Sequence, residues 1–115
     1  MAVTLHASGT QTATVTTEHS LSTATVAGVF QLEVDLSAMV AGDITELRAY
    51  KIVLAGGTKR LIFFEAFYGA QPANSVTKTS VPLSNELTDA NSLELSLKQT
   101  FGTGRAYPWK VLKHA

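Results

Sequence analysis

Cysteine is absent from the chain of 115 residues. That excludes disulfide bonds and any zinc site built on thiolates. Charge is scarce as well. Asp, Glu, Lys and Arg together make up 16% of the chain, against roughly 25% in a typical soluble protein. The basic and acidic residues balance at 9 each, so the net charge is +0. A neutral chain with so few cations does not hold nucleic acid through a basic face. Its hydrophobic share of 45% is too high for a disordered polymer. No stretch approaches the roughly 20 apolar residues a membrane-spanning helix requires; the oiliest, residues 61–64, runs into Glu65. The first residues, Met1-Ala-Val-Thr-Leu-His6, lack the basic and apolar regions of a secretory signal, which fits a protein made and used in the cytoplasm and equally a virion component assembled there and released by lysis. A surface so poor in charge does little to discourage self-association.

What remains is a chain of strand formers. Residues 10–17 alternate with Thr at the even positions, and residues 19–26 continue in that style. Threonine is β-branched and suits a pleated, half-exposed surface. Residues 29–36 give the clearest signal: Phe30, Leu32, Val34 and Leu36 share one face, and Gln31, Glu33 and Asp35 the other. Residues 37–43 read as a connector with a short helical turn ending at Gly42. A strand over 44–54, a turn at Gly56-Gly57 and a strand over 60–68 follow. The last of these is apolar on both faces. It is expected either as a central strand covered on both sides or as one whose second face meets a partner.

Residues 69–75 are loop chemistry, residues 76–83 alternate up to Pro82, and residues 84–91 read as a polar loop with a helical turn capped by Ser84. Leu93, Leu95 and Leu97 face one way and Glu94, Ser96 and Lys98 the other. A glycine-rich turn then leads into a last strand over 109–113. About eight short strands, no long amphipathic helix and no internal repeat predict one all-β domain over 1–115. Its expected architecture is an antiparallel two-sheet sandwich of the jelly-roll type.

Reactive chemistry is hard to find in this pattern. His6, His19 and His114 show no spacing that places two imidazoles on one face. There is no Gly-x-Ser-x-Gly elbow. Glu33, Asp35 and Glu94 alternate outward, as a solvated face does. Glu65 stands in an oily strand, where an unpaired carboxylate is costly to bury, so a buried pair with Arg48 or Arg60 is expected, with a subunit contact as the alternative. Gly102-Thr-Gly-Arg105 lacks the following lysine and helix of a phosphate loop. It reads as a tight turn that presents Arg105. Trp109 is expected in the core. Tyr50, Tyr68, Tyr107 and Trp109 show no spacing that argues for a stacked sugar, and Phe63, Phe64 and Phe67 suit core or interface. No enzyme and no cofactor is expected.

The segment Ser96-Leu-Lys-Gln-Thr-Phe-Gly-Thr-Gly-Arg-Ala-Tyr-Pro-Trp109 closely resembles the end of a group of small tailed-phage proteins, encoded beside the major capsid protein. Leu5-His-Ala-Ser-Gly-Thr-Gln-Thr-Ala-Thr-Val15, Gly28-Val-Phe-Gln-Leu-Glu-Val-Asp-Leu36, Gly42-Asp43 and Glu46-Leu-Arg48 look similar too. The likeness touches most of the chain. Its most specific piece is Gly102-Thr-Gly-Arg-Ala-Tyr-Pro-Trp109.

The resemblance implies a capsid decoration (cement) protein: a jelly roll on the outside of an icosahedral head, located in the virion, with the major capsid protein and its own copies as partners. Closed symmetry suggests a trimer first and a dimer second. Neither nucleic acid nor membrane is an expected partner. Residues 1–9 are expected as an arm that orders on a neighbour. The contact residues expected are Thr4, Leu5 and His6 from that arm, Arg60 and Phe64 from the oily strand, and Arg105 and Tyr107 from the glycine-rich turn. The alternative is a carbohydrate-binding sandwich module of a phage fibre or tail. Behind it stands another virion part, such as a head–tail joining or tail-tube protein.

Overall fold

A computed structural model describes residues 2–86 and 92–114. Within them the chain forms β1 (Val3–Thr12), β2 (Glu18–Ala24), β3 (Gly28–Asp35), β4 (Ile44–Ile52) and β5 (Lys59–Tyr68). These are followed by β6 (Thr77–Thr79), β7 (Leu83–Asn85), β8 (Leu93–Phe101) and β9 (Ala106–His114). One sheet has the order β1-β9-β3-β6, with β7 also on β3, and the other has the order β2-β8-β4-β5. Every pairing is antiparallel. β6 pairs with the end of β3 and β7 with its beginning, so they are two halves of one strand position. Pro82, which has no N–H to give a ladder, sits in the break between them.

Apart from that break and the β4–β5 hairpin, every connection between consecutive strands crosses from one sheet to the other. Eight strand positions wound in this way make the jelly roll that the sequence predicts. The core lies where period-two alternation puts it. Phe30, Leu32 and Val34 of β3, Leu36 just beyond it, Leu47 and Ala49 of β4, Leu93, Leu95 and Leu97 of β8, and Tyr107 and Val111 of β9 are all buried. Each large apolar side chain among them contributes about 1.5–3 kcal/mol by leaving water.

Several expectations need correction. Residues 3–9 do not form a free arm: they begin β1, which pairs with β9 from Val3 opposite His114 to Thr12 opposite Ala106. The threonine strand therefore starts earlier and ends earlier than its alternation suggests, and Thr16 sits in the turn beyond it with a φ of 71°. The connector over 37–43 holds two turns rather than a helical one. Ser84 lies inside β7, and the remainder of the expected loop, from 87 to 91, lies outside the described residues.

The oily strand β5 is an edge strand. The sheet facing it has only the short β6 and β7 at that side, so most of β5 stays open to solvent. Glu65 is accordingly exposed, and it makes no ion pair among the described residues. Arg48 is engaged elsewhere, by Glu46 and Glu18.

Candidate interaction surfaces

The glycine-rich turn after β8 is fastened to the body of the sandwich. Asp43, 1% exposed, accepts a hydrogen bond from Arg105 Nε at 2.9 Å and another from the Val40 backbone N–H at 3.0 Å. Burial pushes the Asp43 carboxyl up, but the N–H groups of Val40 and Thr103 and the Arg105 guanidinium outweigh it and hold it below its ordinary value. Gln99 continues the inward positions of Leu93, Leu95 and Leu97 and is fully buried. Its amide nitrogen donates to the carbonyls of Phe101 at 3.0 Å and Thr103 at 2.7 Å. Its oxygen accepts from the Arg105 N–H at 3.1 Å and the Tyr107 hydroxyl at 3.0 Å. Tyr107 is bonded in turn to the Thr45 hydroxyl at 2.9 Å. Burial raises its phenol above the ordinary value.

The two glycines of this turn have no room for a side chain. A methyl group on Gly102, whose φ is 94°, would collide with the Asp43 carboxylate, and one on Gly104 would collide with the Ala13 carbonyl. Arg105 and Tyr107 therefore fasten the turn to the body of the sandwich. Tyr107 is 0% exposed and cannot touch a partner. Arg105 gives its Nε–H to a buried carboxylate while its side chain stays 28% exposed.

The outer face of the β1-β9-β3-β6 sheet is different in kind. Val3, His114 and Val29 stand side by side across three strands, with Leu5, Leu112 and Gln31 in the next row. Val3 is 52% exposed and Leu5 61%. Beside this apolar end runs an open groove of about 460 Å³, lined by Leu5, Ser8, Glu33, Asp35, Thr77 and Pro108 among others. Lys110 reaches Glu33 across it at 3.4 Å. Thr4 is exposed and bonds weakly to the Lys113 carbonyl at 3.4 Å. His6 is half-buried at a bulge in β1 and meets the core Phe30 ring edge-on at 4.9 Å. Trp109 is half-buried against the core, its indole lying over Gly9.

The outer face of the other sheet carries a polar cluster and an apolar margin. Arg48 holds Glu46 and Glu18, and its guanidinium lies 5.3 Å from the centre of the Phe64 ring. Partial burial pushes Glu18 up, but the hydroxyls of Ser96 and Tyr50 and the charges of Arg48 and Lys98 outweigh it, leaving it below its ordinary value. Tyr50 is raised, first by burial and then by the Glu18 carboxylate. Beyond this cluster, Leu61, Ile62, Phe64 and Tyr68 of β5 are 44–69% exposed, and Val53 and Leu54 extend the margin into the β4–β5 turn. Arg60 is exposed at the start of the same strand.

The structure thus separates the seven expected contact residues into three places. Thr4, Leu5 and His6 lie on β1, Arg60 and Phe64 on β5, and Arg105 and Tyr107 in or beside the fastened turn. β1 and β5 are edges of different sheets. Asp43 and Gln99 were not foreseen as the partners of the turn. The period-two continuation from Leu97 to Gln99 is the signal that marks a buried amide. Among the described residues no three His, Asp or Glu side chains gather as metal ligands, and no helix is long and apolar enough to cross a membrane. No family model, curated protein or solved structure matches this chain.

Proposed function

We propose that this chain is a structural virion protein that binds the outside of an icosahedral phage capsid and stabilises it. The observation that carries the reading is a pair of apolar surfaces on opposite sides of one stiff sandwich. Val3, Leu5 and Val29 mark one, on the β1-β9-β3-β6 sheet, and Leu61, Ile62 and Phe64 mark the other, on β5. A module with two such faces joins two bodies: one face seats on a shell and the other meets a neighbour. Large apolar side chains left in water at both faces are what assembly buries. Symmetry multiplies a modest contact over every copy of the site. The sequence resemblance to tailed-phage decoration proteins supplies the shell as the first body and the virion as the location.

The test is to add purified chain to heads that lack it and image them. Density in many copies over the outer shell, with higher heat resistance of the heads, is the expected result. A single ring at the tail vertex, or no binding, overturns the reading. Leu5→Asp is expected to lower occupancy without unfolding the chain. The groove lined by Ser8, Glu33, Asp35 and Thr77 favours a second reading, a carbohydrate-binding module of a fibre or tail, because convergent hydroxyls and carboxylates suit sugar hydroxyls. A glycan array separates the two: binding that competes with heads points to the groove as a sugar site.

A further inference from the structure

The free edge of β5 carries two features that repel an arbitrary strand. It contains a bulge: Ala49 lies opposite Phe63 and Tyr50 opposite Leu61, which leaves Ile62 as an extra residue. It also carries charge on its inward-facing side. Glu65 stands opposite Leu47, a core residue. Arg60 stands opposite Lys51, whose ammonium group reaches Glu86 in the chain just past β7 of the other sheet. Bulges and inward charges are the usual means of keeping an exposed edge from pairing indiscriminately.

Those same features fit a second copy of this strand. The extra residue puts Arg60 and Glu65 on one face, although five positions in a regular strand would put them on opposite faces. It also puts Leu61 and Phe64, opposite Tyr50 and Arg48, together on the other face. Arg60 and Glu65 are separated by about 16 Å of strand, too far to pair within one chain, and neither has an ion-pair partner among the described residues.

We propose that β5 pairs antiparallel with β5 of a second copy about a two-fold axis between Ile62 and Phe63, each Arg60 lying opposite the other chain's Glu65. In that register each Leu61 lies opposite the other chain's Phe64, on the outer face. Between these pairs each strand offers the same two residues, so bulge meets bulge and no mismatch is left. A regular strand has one residue where this strand has two, and its charges lack the spacing. The two-fold operator repeats both contacts, as an isologous interface requires. The result is a dimer with a continuous eight-stranded sheet, not the trimer that the sequence resemblance favours. The inference is independent of what the other face binds.

Analytical ultracentrifugation of the whole chain tests it. The wild type is expected to sediment as two chains. Arg60→Glu and Glu65→Arg each place like charges opposite one another twice, and each is expected to weaken the dimer by roughly a hundredfold. Circular dichroism checks that both variants remain folded. An equimolar mixture of the two restores opposite charges at both positions and is expected to sediment as two chains again. Because the chain has no cysteine of its own, Arg60→Cys mixed with Glu65→Cys is expected to form a disulfide-linked mixed dimer under mild oxidation. A wild type that sediments as one chain or three, a dimer indifferent to both reversals, or a mixture that stays monomeric overturns the proposal.

Discussion

The turn between β8 and β9 and the edge strand β5 are both rich in residues that look ready for a partner, yet they are opposite in construction. At the turn the buried polar groups are spent within the chain: Asp43 on Arg105, Tyr107 on Thr45 and Gln99, and Gln99 on three backbone groups besides. Along β5, Arg60 and Glu65 make no ion pair among the described residues, and Leu61, Ile62, Phe64 and Tyr68 stand in water. A distinctive motif therefore marks what the fold needs at one end, while a plainer, oily stretch marks what the fold leaves over at the other.

The largest effect expected at the fastened end comes from Gly104→Ala. The added methyl collides with the Ala13 carbonyl, backbone against side chain, with no flexible group to yield. A loss of about 3 kcal/mol or more is expected from thermal or denaturant unfolding. Asp43→Asn comes next, at about 2–4 kcal/mol, because it removes the charge from a buried pair and weakens the hold on the Val40 N–H.

This variant also alters the pH dependence. The Asp43 carboxyl titrates below its ordinary value of 3.8, so its stabilisation is complete above that pH and disappears as pH falls through the lower folded value. Acid unfolding is expected to show a shallower slope below about pH 4 in Asp43→Asn than in wild type.

Tyr107→Phe removes one hydroxyl from a buried chain of three groups and is expected to cost about 1–2 kcal/mol while leaving self-association untouched. The smallest effect on stability, within about 1 kcal/mol, is expected for Phe64→Ser, since Phe64 is 49% exposed and loses mainly its contact with Arg48. Yet this change is expected to reduce dimerisation most among the four. Sedimentation run beside the melts brings out the contrast: stability and association should move in opposite order along the series.

Much of the fold was legible because alternation is a strong signal when one face is buried. Residues 29–36 and 93–97 declare their inward positions outright, and the number of strands follows from turn chemistry. Other features were not legible. Residues 3–9 alternate Val3, Leu5 and Ala7 with Thr4, His6 and Ser8, but the bulge at His6 leaves Val3 and Leu5 outward and turns Ala7 toward the core, so no single buried face marks the strand and only its pairing with β9 defines it. The oily strand reads as central because apolarity on both faces usually means cover on both faces; here the sheet opposite it is too short to provide that cover.

Glu65 illustrates the same point from the other side. Its expected burial followed from its neighbours' apolarity, whereas its exposure follows from the length of β6. Of the candidate contacts, Leu5, Arg60 and Phe64 sit on open surface, while Arg105 and Tyr107 are tied to partners, Asp43 and Thr45, that each lie 62 residues away along the chain and so leave no local signal. The bulge at Ile62, which decides what β5 can pair with, leaves no mark in the sequence.

β5 is the surface left open for another body, and the β8–β9 turn is tied to its own chain. Backbone hydrogen exchange, measured on the dilute chain and on the same chain bound to heads at high occupancy, tests this contrast most directly. New protection is expected across Lys59–Tyr68 and none across residues 102–107, where the Thr103 and Arg105 N–H groups are already bonded to Asp43 and Gln99. New protection over residues 102–107, with β5 exchanging as fast as in the dilute chain, would contradict it.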